Sequence, residues 1–289
     1  MCTTAHWYPF ADVRIRRRIR RTLWFYPHNP MDPMLRSMHE LKSYAIGATD
    51  GEIGHVADFF FDDQRWTIRY LVVETGSWLL SRKVLVSPFS LLEADWPSKR
   101  LPVCITREQV KVSPDIDSDR PVSRQHEMQM ADYYGYPYYW GSTGLWGDGM
   151  YLPTMPPPSV TRKATQTQED DPHLRSCIAV TGYQLHATDG DIGHISGMLV
   201  EEANWTIRYL VVNTGNWWPG HEVLVAPNWF SDINWAESSV HVMMSREAIR
   251  HSPPFDSTET LNRNQEAALY AHHHREGYWD DEVNKTDKR

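Results

Sequence analysis

The sequence predicts a mainly β protein made of two tandem small β-barrels, each followed by a short helix and an aromatic helical tail. Three observations predict it. The run Trp66-Thr67-Ile68-Arg69-Tyr70-Leu71-Val72-Val73-Glu74-Thr75-Gly76-Ser77-Trp78 returns 139 residues later as Trp205-Thr206-Ile207-Arg208-Tyr209-Leu210-Val211-Val212-Asn213-Thr214-Gly215-Asn216-Trp217. Between Tyr44 and Phe89, 23 of 46 positions are identical at that offset and no gap is needed, which is the mark of a duplicated scaffold. Within each copy, short β-branched and aromatic runs alternate with Asp-Gly and Thr-Gly turns, the spacing of a closed or nearly closed barrel.

Residues 1–40 read as a basic, disordered arm. The first 36 residues hold seven arginines and two aspartates, a net +5 that leaves −13 for the rest of the chain. Arg14 to Arg21 and the apolar patch Leu23 to Tyr26 resemble a signal peptide, but the patch is shorter than the ~7–15 residues of an h-region. Met31, Met34 and Met38 are alternative starts. The arm is either a contact for anionic surfaces or, on the simpler reading, a solvated tail.

The first repeat is expected over residues 41–140. Ser43 to Ala48 is a short strand, and Asp50-Gly51 a tight turn. Ile53 to Phe61 is a second strand, with Val56, Asp58 and Phe60 on one face and His55, Ala57 and Phe59 on the other. Thr67 to Glu74 alternates Ile68, Tyr70 and Val72 with Arg69, Leu71 and Val73, so it is expected to be central and covered on both sides. Lys83 to Ser87 ends at Pro88, which cannot donate to a ladder. Phe89 to Leu92 and Leu101 to Ile105 add short strands. Thr106 is expected to cap a helical turn with Gln109 at the capping-box position. Gly and Pro mark 141–175 as a linker, with four glycines and five prolines. The second repeat follows over 176–280, and 281–289 is a disordered end.

The tails also match. Ser113-Pro114 aligns with Ser252-Pro253, Glu127 with Glu266, and Tyr139-Trp140 with Tyr278-Trp279. Asn262 to His274 reads as a helix behind an Asn cap. Aromatic residues at such density are a liability when exposed, so each tail is expected to cover a barrel, its own or the other copy's.

Composition narrows the function. The net charge of −8 argues against a general nucleic-acid binder, which needs a basic face. No apolar run reaches the ~20 residues of a membrane span. Cys2, Cys104 and Cys177 form no CxxC pair, which suits a reducing cytoplasm. Asp50/Glu52 and Asp189/Asp191 are explained as turn residues, and His55 and His194 have no ligand partners at matching spacing. His272-His273-His274 sits where the first copy has Tyr133-Tyr134-Gly135. Consecutive helical residues diverge, so they do not form one ligand set. No nucleophile, phosphate-loop or dinucleotide signature occurs. The chain therefore reads as non-enzymatic and without a cofactor. For Arg69, a carboxylate such as Asp58 is the expected partner; Asp58 aligns with Gly197, so Arg208 is left without an assigned one.

The runs Asp50 to Asp58, Trp66 to Val73 and Trp78 to Pro88 resemble the PRC-barrel family, over about residues 41–112 and 180–251. This is the barrel of the cytoplasmic part of the H subunit of purple-bacterial photosynthetic reaction centres, also found in a ribosome-maturation factor and in stand-alone tandem proteins. The resemblance implies a small, largely non-enzymatic barrel used for protein contacts. Three functions are weighed: a cytoplasmic adaptor with an unnamed protein partner or self-association through barrels or tails; a membrane-peripheral component of photosynthetic or membrane electron transfer; and a metal-binding protein or enzyme using the His-rich tail. The candidate interaction surface lies where the copies differ and in the aromatic positions: Arg82 and Lys83 against His221 and Glu222, with Trp78, Trp217, Tyr139, Trp140, Tyr278 and Trp279.

Overall fold

The computed structural model describes residues 34–114, 124–140, 174–215 and 221–280. Most of the arm, residues 141–173 of the linker, and 281–289 lie outside these. The described chain is mainly β, in two mixed sheets. In order it forms β1 (Leu35–Ser37), α1 (Met38–Leu41), β2 (Ala45–Ala48), β3 (Gly51–Asp62), β4 (Thr67–Thr75), β5 (Lys83–Val86), β6 (Arg100–Pro102), α2 (Arg107–Val112) and α3 (Arg124–Tyr134). The second copy gives β7 (Leu174–Ser176), α4 (Cys177–Val180), β8 (Gln184–Ala187), β9 (Gly190–Glu201), β10 (Ile207–Asn213), β11 (Glu222–Val225), β12 (Phe230–Asn234), β13 (Ser239–Val242), α5 (Arg246–Arg250) and α6 (Arg263–His272). Among the described residues no helix is long and apolar enough to cross a membrane.

The first sheet runs β5-β4-β3-β2-β6 and the second β11-β10-β9-β8-β13-β12. The β2–β6 and β8–β13 pairs are parallel, and the other pairs antiparallel. β3 and β4 approach so closely that a Cβ on Gly54 would lie 2.0 Å from the Glu74 carbonyl oxygen. Gly193 faces the Asn213 carbonyl in the same way. Hence only glycine fits there.

Strict alternation along β3 does not hold. Register shifts fall between Val56 and Asp58 and between Phe60 and Phe61. A bulge adds one residue and so turns the following side chains over. Val56, Phe59 and Phe61 therefore share the main core with Ile68, Leu71 and Val73, while Phe60, Tyr70 and Val72 form a second cluster with Leu85, Met130 and Leu174. The strand β4 is covered on both sides, as its composition requires. Phe89 to Leu92 is not a strand: Pro88–Ser90 is a 3-10 turn, and only Leu91 bridges to Val103.

Each repeat extends further toward its N-terminus than position 41 or 176. The triplet Leu35-Arg36-Ser37 recurs as Leu174-Arg175-Ser176, and the two triplets are exchanged. Leu35–Ser37 pairs with Leu199–Glu201 of the second sheet, and Leu174–Ser176 with Phe60–Asp62 of the first. The backbone passes between the sheets at Ser43 and Gly182, positions 139 apart, both at positive φ (73° and 98°).

Candidate interaction surface

Two tails, one loop and one seam hold the candidate side chains. Each tail folds back onto its own repeat. Asp62 and Glu201 end β3 and β9, and each receives the arginine from the next strand. Arg69 donates to Asp62 at 3.0 Å with both side chains buried, so the arginine's partner is Asp62 and not Asp58. The reason is geometric: the bulges rotate Asp58 away from Arg69, whereas Asp62 stands beside it. Arg208 pairs with Glu201, the residue that aligns with Asp62.

Over each arginine lies a tail tyrosine. The Arg69 guanidinium is 3.7 Å from the Tyr139 ring centre, and that of Arg208 is 3.9 Å from Tyr278, the geometry of a cation–π contact. Tyr139 donates its hydroxyl to Glu127 of α3, and its carbonyl accepts from Arg65 at 2.9 Å. Tyr278 donates to Glu266 of α6 at 3.0 Å, and Tyr209 donates to the same oxygen at 2.8 Å. Arg263 pairs with Glu266 at 3.0 Å and covers Trp279 at 4.3 Å. Burial raises the Glu266 carboxyl above its ordinary range and lowers the Arg69 guanidinium. Trp140 packs on Tyr138 and Tyr139. Tyr139 is thus enclosed, and Tyr278 and Trp279 are half-buried against their own repeat.

α6 has the expected Asn262 cap, reciprocated by Gln265, and α2 the expected Thr106–Gln109 box. The Asp-Gly turns dock these repeats' short helices: Asp50 accepts from the Arg107 N–H at 2.8 Å and Asp189 from Arg246 at 2.7 Å. His273 bonds Ser252 at 2.6 Å beside the Trp229 ring. Burial, helped by the neighbouring charges of His272 and Arg275, lowers it from about 6.5 to about 4.

The loop after β4 is where the copies part. Thr75 and Thr214 close it alike, bonding the carbonyls of Arg82 and His221 through N–H and hydroxyl. The Trp78 indole donates to the Ile53 carbonyl at 2.7 Å and lies under Arg107 at 4.2 Å. Arg82 donates to the carbonyls of Lys111 and Ser113 at the end of α2, satisfying acceptors that a helix terminus leaves open. Lys83 is exposed, while its counterpart Glu222 accepts from Ser196 at 2.8 Å. Between them and Trp78, Leu80 is 93% exposed at φ 54° and Ser81 also has φ 54°. Trp217 lies outside the described residues.

The seam was not legible as a site. Ile68 N–H bonds the Trp205 carbonyl at 2.8 Å and Ile207 N–H the Trp66 carbonyl at 2.6 Å. Trp66 stacks on Phe61 and meets Phe230 of the other repeat edge-on, so this tryptophan joins the two repeats. Arg36 reaches Glu202 at 3.4 Å and lies 4.2 Å over Trp96, and Arg175 reaches Asp63 at 2.9 Å and lies 4.4 Å over Trp235. The fixed 139-residue spacing of the two Leu-Arg-Ser triplets was the signal that could have found it.

Among the described residues no three His, Cys, Asp or Glu side chains converge as a metal-ion site. Compared with known proteins, the chain matches no protein-family model and no curated protein.

Proposed function

We propose that the chain is a tandem PRC-type barrel protein that works as a non-enzymatic adaptor in the cytoplasm, gripping a protein partner through the loop from Trp78 to Lys83. In this reading each mixed sheet, bent by the bulges of its long strand, curls into a small barrel. The repeated Asp-Gly, Trp-Thr-Ile-Arg-Tyr and Val-Leu-Val-x-Pro runs support the family assignment.

The observation that carries the interaction reading is Leu80. A leucine held 93% exposed in left-handed backbone is unfavourable twice over, in conformation and in hydration. Strain and exposed apolar surface retained together at a loop tip favour a contact use. Arg82 and Lys83 beside it give that contact a positive rim, which selects acidic partners. The second copy has His221 and Glu222 there, so the two ends of the scaffold differ in charge and one partner surface suits only one of them.

The test compares proteins captured from native lysate by wild type and by a Leu80→Asp variant. A partner retained by wild type and lost by the variant is the expected result. Identical captures by both proteins would remove the loop as the contact.

A further inference from the structure

The seam between the repeats is a contact that neither the tails nor the loop accounts for. Its backbone bonds and arginine ion pairs come in pairs displaced by 139 residues: Ile68 to Trp205 and Ile207 to Trp66, Arg36 to Glu202 and Arg175 to Asp63. Contacts in which i meets j and j meets i define an isologous interface, the kind two identical chains form. Here both sides belong to one chain.

The exchanged arms have the same sequence, Leu-Arg-Ser, and their sockets offer the same chemistry. Each has a carboxylate for the arginine (Glu202 or Asp63) and the end of a long strand for the backbone, while the indole over each arginine (Trp96 or Trp235) comes from the arm's own repeat. One feature separates the sockets. Asp58, in the first repeat, accepts from the Ser176 hydroxyl at 2.5 Å and from the Ile178 N–H at 3.1 Å, capping the arm that it holds. At the matching position the second repeat has Gly197, and Ser37 makes no side-chain cap bond. Two first repeats placed face to face would supply an Asp58 to each arm. Two second repeats would supply none.

We propose that the seam is a homotypic docking surface whose second occupant is the first repeat of another copy of this chain, seated by the same exchange of Leu-Arg-Ser arms. Within one chain the covalent join holds the two repeats at high effective concentration, so the closed form prevails. When the repeats part, the first repeat of one chain docks on that of another. The result is an assembly joined through first–first contacts, with Asp58 setting its preference.

The experiment uses full-length protein carrying a protease site within residues 141–173, prepared in light and isotopically heavy forms, cleaved and read by native mass spectrometry. After cleavage the halves are expected to remain together at the mass of the intact chain. After mixing, unfolding and refolding, first–first pairs are expected alongside first–second pairs, exceeding second–second pairs by more than about tenfold through their two caps. Asp58→Ala in both pools is expected to abolish that excess. Refolding that yields only first–second pairs, or halves that separate as monomers on cleavage, would overturn the proposal. Where refolding fails, light and heavy cleaved complexes are instead incubated together without denaturant. First–first pairs appearing there support the proposal, and their absence sinks it.

Discussion

The two repeats hold an arginine, a carboxylate and a tail tyrosine in the same places but wrap them differently. In the first, Arg69 is 1% exposed against Asp62, with Tyr139 as its lid. In the second, the Arg208 side chain is 13% exposed, and Glu201 also receives the Asn204 amide at 3.0 Å. Charge there spreads through Glu266, Tyr209, Tyr278 and Arg263. The difference teaches that one motif supports either a sealed ion pair or a shared network, depending on how many polar neighbours the tail brings.

That contrast can be broken most directly at the arginines. Arg69→Met removes the charge partner from the more deeply buried pair, leaving Asp62 with the Gln64 and Arg65 N–H donors, and is expected to cost about 3 kcal/mol. Arg208→Met leaves Glu201 with its amide donor and is expected to cost about 2 kcal/mol. Urea unfolding of both variants checks the order. Equal losses would mean that the two sites are energetically alike.

The crossing points give the next largest effect. Gly182 has φ 98° and open space around its Cα, so Gly182→Ala is opposed by conformation alone, at about 1–2 kcal/mol. Ser43 holds the matching place at φ 73°, and Ser43→Gly is expected to gain up to about 1 kcal/mol. Paired thermal melts of the two variants should therefore move in opposite directions.

Asp58 and Gly197 test the exchange itself. Asp58→Ala removes the cap of the arm in the first socket and is expected to cost about 1 kcal/mol. A Cβ at Gly197 meets nothing nearer than Val211 at 3.8 Å. Gly197→Asp is accordingly expected to give the second socket a cap and a gain of similar size but opposite sign. Denaturant midpoints measure both.

The smallest effect is one of pH. His273, in the second tail only, is neutral in the folded protein down to about pH 4. Below its ordinary value near 6.5 the unfolded chain takes up a proton that the folded one refuses. Its contribution is therefore complete above pH 6.5 and is lost as pH falls toward 4. His273→Gln should flatten the stability profile across that window. An unchanged slope would assign the acid sensitivity to other groups.

Several features were legible in residues alone. The Thr106 and Asn262 caps, the central strand, and the alignment of Glu127 with Glu266 follow from local chemistry and from the duplication. Others were not. The partner of Arg69 was misread because a bulge after Val56 breaks the period of two, and nothing in the composition of β3 marks it. The tail aromatics sit at the expected positions, yet which repeat they cover depends on packing. The Leu-Arg-Ser triplets are visible at the repeat offset, but three residues carry too little pattern to be read as strands.

The sequence by itself determined that the chain is mainly β and duplicated, with turns, caps and an aromatic tail in each copy, because those are set by residues near one another in the chain. Only the tertiary structure decided that the copies interlock. Whether an arm pairs with its own sheet or with the other's is a choice between two sockets of the same chemistry. Local sequence cannot distinguish them, and the choice is made by where the backbone turns at Ser43 and Gly182 and by what the Trp66 and Trp205 turns meet across the seam.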